Sequence, residues 1–225
     1  MDLQAIIKEF DHYINDGNIV AIGTSRYDTE FVDELVKYLL FKKKEVFFVA
    51  TTSRQAAQFS DLGQKVVSLN DKEIDVAIEF IDQVDSDFNF IKKDTKSFIR
   101  DKMISQSALN LITVCDRLDL VDKITKDVSV EISSFAWERT ILNLQSYGLA
   151  RVVLDIDGQI IKTETGHYLA RITLDKNITL EDFEYSVKNI PGVLETGVFL
   201  GMADIILIVD KNDPKNESIS IRSRN

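Results

Sequence analysis

The sequence predicts an α/β protein: a Rossmann-like parallel sheet domain over residues 1–126 and 201–225, interrupted by a ferredoxin-like inserted α+β domain over 127–200. Three observations lead there. Short apolar runs alternate with segments of helical period up to about residue 115, the pattern of parallel strands joined by crossover helices. From about residue 127 the order changes to β-α-β-β-α-β. Apolar residues make up 44% of the 225, with only two Pro and nine Gly among them, so a sizeable core can form without long linkers.

Leu3, Ile6, Ile7, Phe10 and Ile14 fall at helical spacing, Asp16-Gly17-Asn18 breaks the pattern, and Ile19 to Ile22 reads as a buried strand. Phe31, Leu35, Val36, Leu39 and Leu40 form a second helical stripe, followed by a strand over Val46 to Ala50. Thr51-Thr52-Ser53 offers capping hydroxyls to a short helix ending near Gly63, before a strand over Lys65 to Leu69. Further strands are expected at Ile74 to Glu79 and Leu111 to Cys115, with a helix over 97–109 between them. In the insert the reading is a strand over Val128 to Ile132, a helix over Ala136 to Tyr147, and a hairpin pairing Ala150–Leu154 with Ile160–Glu164 around Asp157-Gly158. Thr179-Leu180-Glu181-Asp182 is a capping box opening a helix to Asn189, and Pro191-Gly192 leads into a strand over Val193 to Leu200. Ala203 to Val209 rejoins the first sheet, and Asn216 to Asn225 reads as a frayed tail.

Composition narrows the function. No run approaches the roughly 18 apolar residues of a membrane span, and the start lacks a signal-peptide pattern, so a cytoplasmic protein with no membrane partner is expected. Cys115 is the only cysteine and His12 and His167 the only histidines, which argues against an internal disulfide or a Cys- or His-based metal centre. His167 reads as a surface or dimer residue, Trp137 as core packing, and Cys115 as a small buried hydrophobe. A net charge of -10 makes nucleic acid a poor partner, yet Lys92, Lys93, Lys96, Arg100 and Lys102 gather five positive charges opposed only by Asp94 and Asp101. That local field suits a small anion.

Around this basic cluster, Glu79-Phe80-Ile81-Asp82 precedes Lys92-Lys93-Asp94-Thr95, and later comes Ile190-Pro191-Gly192-Val193-Leu194-Glu195-Thr196-Gly197-Val198-Phe199. In order and spacing these segments resemble type A ribose-5-phosphate isomerase, whose Asp-Gly-Ala-Asp segment precedes Lys-Gly-Gly-Gly and whose late segment reads Ile-Pro-Gly-Val-Val-Glu-x-Gly-Leu-Phe. The resemblance runs from Ile19 to Ile208. It implies interconversion of D-ribose 5-phosphate and D-ribulose 5-phosphate through an enediolate, without metal or organic cofactor, by a homodimer or homotetramer whose ligand is a small phosphorylated sugar.

The same resemblance assigns roles. The family's catalytic Glu falls on Asp101, one methylene shorter, and its two aspartates fall on Glu79 and Asp82, with Phe80-Ile81 in place of Gly-Ala. Lys92 matches the lysine that stabilises negative charge at the reacting oxygens. Substrate-binding positions fall on Lys93, Asp94 and Thr95, which replace three glycines, and on Thr24, Ser25, Arg26 and Tyr27, which follow Gly23 in the phosphate loop. Asp119 stands where the family carries a substrate-binding lysine. The bland reading of these residues is a solvated helix carboxylate, strand-end caps and ordinary loop lysines. Three functions therefore compete: the isomerase, a binding protein that holds a different metabolite without turnover, and a paralogue whose pocket is filled by Arg26, Tyr27, Phe80 and Ile81.

Overall fold

A computed structural model describes residues 3–25, 27–125, 127–210 and 218–224. The first half alternates as expected: α1 (Leu3–Phe10), β1 (Ile19–Ile22), α2 (Asp28–Phe41), β2 (Phe47–Ala50), α3 (Ser53–Asp61), β3 (Lys65–Val66) and β4 (Ile74–Phe80). Two short strands, β5 (Gln83–Val84) and β6 (Phe90–Ile91), precede α4 (Phe98–Ser107) and β7 (Ala108–Asp116), after which Arg117–Asp119 form a single 3-10 turn. The second unit comprises β8 (Asp127–Ile132), α5 (Trp137–Leu144), β9 (Gly148–Val152), β10 (Tyr168–Leu174), α6 (Leu180–Val187) and β11 (Val193–Thr196). The chain closes with β12 (Val198–Phe199), β13 (Ile205–Asp210) and β14 (Ser218–Ser223).

Seven strands make one sheet in the order β14-β13-β7-β4-β1-β2-β3, parallel throughout except for β14. Its central strands are buried on both faces, which is why they read as continuous apolar runs. One face packs on Phe10, Phe31, Leu35 and Phe59 from α1, α2 and α3; the other packs on Ile104 of α4 and on Phe90 and Phe199. The second sheet is antiparallel, β11-β8-β10-β9, and with α5 and α6 as crossovers this is the ferredoxin-like arrangement. Among the described residues no helix is long and apolar enough to cross a membrane.

Several boundaries differ from the sequence reading. The helix over 97–109 stops at Ser107, and Ala108 already pairs with Ile74 at the start of β4. The Asp157-Gly158 turn forms, with Asp155 N–H on the Gln159 carbonyl, but Ile160–Glu164 makes only isolated bridges. The partner of β9 is instead Tyr168–Leu174, whose longer alternation supplies a full edge. Residues 153–167 thus become a strap that returns to the loop before α4, where Glu164 N–H meets the Lys96 carbonyl at 2.7 Å. The expected strand over Val193–Leu200 breaks at Gly197, where the N–H still bonds the Ser129 carbonyl but the carbonyl accepts from Lys92 N–H; only glycine fits, since a Cβ there would sit 2.1 Å from the Lys92 carbonyl and 2.9 Å from the Phe98 ring. The chain then leaves the second sheet for a three-stranded one, β12-β6-β5, which sequence periodicity did not reveal. Ser218–Ser223, read as a frayed tail, covers the edge of β13 as an antiparallel strand. Its Ser-Ile alternation is that of an edge strand with one face packed, Ile219 lying against the core.

Candidate active site

Glu79 is the last but one residue of the central strand β4, and pleat alternation turns it to the α4 face while Phe80 faces α2. Its carboxylate lies directly over Gly23, the residue after β1, whose N–H bonds the Ile78 carbonyl at 2.8 Å. A Cβ at Gly23 would sit 1.8 Å from Oε2 of Glu79, so only glycine leaves room for a carboxylate here.

Lys92 leaves the end of β6, and its N–H is anchored on the Gly197 carbonyl at 2.9 Å. Its ammonium donates to Glu79 Oε2 at 2.5 Å and to Asp101 Oδ2 at 2.6 Å. Asp101 sits in the first turn of α4, where the positive end of the helix favours a carboxylate. None of the three side chains is more than 1% exposed. Thr95 donates to the same Asp101 oxygen at 2.5 Å, and its hydroxyl lies 2.9 Å from that of Thr24. Ser97, the N-cap of α4, accepts from Arg100 N–H. Two buried carboxylate oxygens, Glu79 Oε1 and Asp101 Oδ1, have no hydrogen-bond partner.

Electrostatics divides the triad into unlike groups. Burial pushes the Glu79 carboxyl up to about 8, with Lys92 opposing the rise and Asp101 adding to it. Burial also works against the Lys92 ammonium, but the Asp101 and Glu79 carboxylates outweigh it and hold the amine charged well above its ordinary range. The cluster therefore sets a carboxyl raised by burial beside a cation held charged by its two acidic neighbours.

The second unit holds this cluster in place. Glu131 on β8 is fully buried; Oε2 accepts from Ser97 Oγ and from Ile99 N–H at the start of α4, and Oε1 lies 3.1 Å from the Thr165 hydroxyl and 3.0 Å from His167 Nδ1. Ser129, two residues earlier, donates to the Lys93 carbonyl at 2.7 Å. Arg171 on β10 reaches the same carbonyl and Asp94. Glu164 on the strap caps Ser53 N–H at 2.8 Å, and hydrogen bonding from Ser53, with Arg100 and Lys96 nearby, holds its carboxyl below the usual range. Lys102, one residue after Asp101, is buried against Glu184, Glu195 and the Val198 carbonyl, tying α4 to α6 and β11.

Of the residues singled out from sequence, Glu79, Lys92, Asp101, Thr95 and Thr24 converge. Asp82 stands beside them, its carboxylate accepting from Lys93 N–H at 2.6 Å. The N–H groups of Lys96 and Ser97 likewise go to Thr24 and Thr95 hydroxyls, so side chains take the donors that a glycine loop would leave for an anion. Lys93 turns toward Asp127, and Asp94 is exposed opposite Arg171. Ser25 accepts from Tyr27 N–H, and the Tyr27 ring packs 5.5 Å from that of Phe80, which also meets Phe31. Arg26 lies outside the described residues. Asp119 closes a capping box with Asp116 in the 3-10 turn. Burial pushes the Cys115 thiol up to about 12, consistent with a packed, inert side chain. Glu131 and Ser129 escaped the sequence reading because V-S-V-E-I looks like a strand with one wet face, whereas α4 covers that face.

Residues 47–213 match the family model described as ribose 5-phosphate isomerase A (phosphoriboisomerase A). The chain is 30% identical to ribose-5-phosphate isomerase A of Methanothermobacter thermautotrophicus over 201 residues, covering 86% of this chain and 87% of that one. It is also 30% identical to the Listeria monocytogenes protein of the same name over 206 residues, 89% and 90% of the two chains. The solved ribose 5-phosphate isomerase of Plasmodium falciparum superposes with a TM-score of 0.88 at 21% identity, over 99% of this chain and 97% of that one, and shares the fold.

Proposed function

The chain belongs to the ribose 5-phosphate isomerase A family, and from that premise we propose that it interconverts D-ribose 5-phosphate and D-ribulose 5-phosphate. The observation that carries the reading is the Lys92 ammonium shared between Glu79 and Asp101 at 2.5 and 2.6 Å. Aldose-ketose exchange needs a base for a carbon-bound proton, a proton donor for the developing oxyanion and a cation beside it. Asp101 is the base: it takes the C2 proton of the aldose, the electron pair forms the C1–C2 double bond, and charge moves to O1. Lys92 stabilises that charge, and the protonated Glu79 donates toward it. Protonated Asp101 then returns the proton to C1 while Glu79, left as a carboxylate after protonating O1, takes the O2 proton and the C2 carbonyl forms, so no protons or electrons are gained or lost. Asp82, Thr24, Ser25 and Tyr27 frame the sugar phosphate in this reading.

The competing picture of a pocket filled by bulky replacements is not favoured, since Phe80 packs edge-to-face against Phe31 and at a tilt against Tyr27, across β4 from Glu79. The same proposal places the reaction in the pentose phosphate pathway and the cytoplasm, takes residues 127–200 as an inserted domain, and expects a homodimer or homotetramer. The test is turnover of ribose 5-phosphate by the purified protein and by Asp101→Asn. Activity abolished by that substitution supports the assignment; a wild-type protein without turnover refutes it.

A further inference from the structure

The hydroxyls beside Asp101 form a chain whose hydrogen-bond directions are forced. Lys96 N–H donates to Thr24 Oγ1 at 3.0 Å, and Ser97 N–H donates to Thr95 Oγ1 at 3.0 Å. Asp101 offers only acceptors when ionised, so the 2.5 Å contact uses the Thr95 proton. The 2.9 Å contact between the two threonines must then use the Thr24 proton. Every donor in the run from Lys96 through Thr24 and Thr95 to Asp101 is assigned, and Thr24, Thr95 and Asp101 are 2%, 9% and 0% exposed. Water does not compete for these bonds.

Both donors to Asp101, Lys92 and Thr95, converge on Oδ2 and none reaches Oδ1. Two donors that converge on one carboxylate oxygen from different directions fix the plane of the group, and with it the direction in which the other oxygen points. We propose that Thr95 is a positioning residue for the base: its hydroxyl, oriented by Thr24 and Ser97, locks Oδ2 of Asp101 and keeps Oδ1 as the unpaired oxygen that takes and returns the carbon-bound proton. This deepens the isomerase reading and rests on it.

The experiment compares Thr95→Val, Thr95→Ser and wild type for kcat and KM on ribose 5-phosphate, with urea unfolding of each. Losing a hydrogen bond to a charged group predicts a fall in kcat of about tenfold to a hundredfold for Thr95→Val, with KM held within about twofold. Thr95→Ser restores most of the loss. Unchanged kcat in Thr95→Val overturns the proposal, as does a Ser variant as slow as the Val variant, which would mean that the methyl group matters. A KM that rises as far as kcat falls also overturns it, because Thr95 would then bind the sugar itself. If wild type shows no turnover, the isomerase reading fails separately, and the pair is judged by the unfolding of Thr95→Val, Asp101→Asn and the double variant. Non-additive stabilities support the Thr95–Asp101 lock, and additive ones overturn it.

Discussion

Replacing Glu79 by Gln keeps the shape of the side chain but removes its proton, and the consequence is a change in how stability depends on pH. In the folded protein burial raises this carboxyl to about 8, against an ordinary value of about 4.5 in the unfolded chain. A raised carboxyl means that the native state binds more protons than the unfolded chain between those two values, so stability falls as pH rises through that window. Each pH unit is worth about 1.4 kcal/mol, so between about pH 5.5 and pH 8 the wild type should lose on the order of 3 kcal/mol relative to Glu79→Gln. Groups with lowered carboxyls, such as Asp11 beside Lys44 and Lys42, act at lower pH and cancel in the comparison. The assay is urea unfolding of both proteins across that range, with the stability difference plotted against pH. Parallel profiles, or a wild type that gains on the variant as pH rises, would show that Glu79 is not the protonated member of the triad. A companion readout is turnover, which should decline above about pH 8 as the acid is lost.

Lys92→Met leaves Asp101 and Glu79 buried without their cation, so a loss of about 3–5 kcal/mol is expected in urea unfolding, with turnover of the folded fraction down about a hundredfold or more. Gly23→Ala drives a methyl group into the Glu79 carboxylate; about 1–3 kcal/mol should be lost and the pH slope of the wild type should flatten, and a native-like stability profile would contradict the packing. Glu131→Ala removes the acceptor for Ser97 and Ile99, costing about 1–3 kcal/mol, and amide exchange in the first turn of α4 should accelerate while α2 stays protected.

Periodicity and punctuation sufficed for the layered architecture. The apolar runs at Ile19–Ile22, Ile74–Phe80 and Ile205–Asp210 are buried on both faces, and such strands announce themselves locally. The segments that were misread are those whose partner decides their state: β14, whose Ser-Ile alternation becomes a strand only against β13, and β10, which displaced a locally plausible hairpin arm. Two-residue strands such as β5 and β6 are too short to carry a period at all.

By itself the sequence pointed to the family, to the α/β class, and to the carboxylates Glu79 and Asp101 and the lysine Lys92 that the fold brings together. Only the tertiary structure decided their chemical states. Whether Glu79 is an acid or a carboxylate depends on the water that α4 and Gly23 exclude, and whether Asp101 is held depends on Thr95 and, through Ser97 and Ile99 at the start of α4, on Glu131 of β8. Proton affinity and orientation are set by desolvation and by partners distant in the chain, and neither quantity has a local signature in the order of residues.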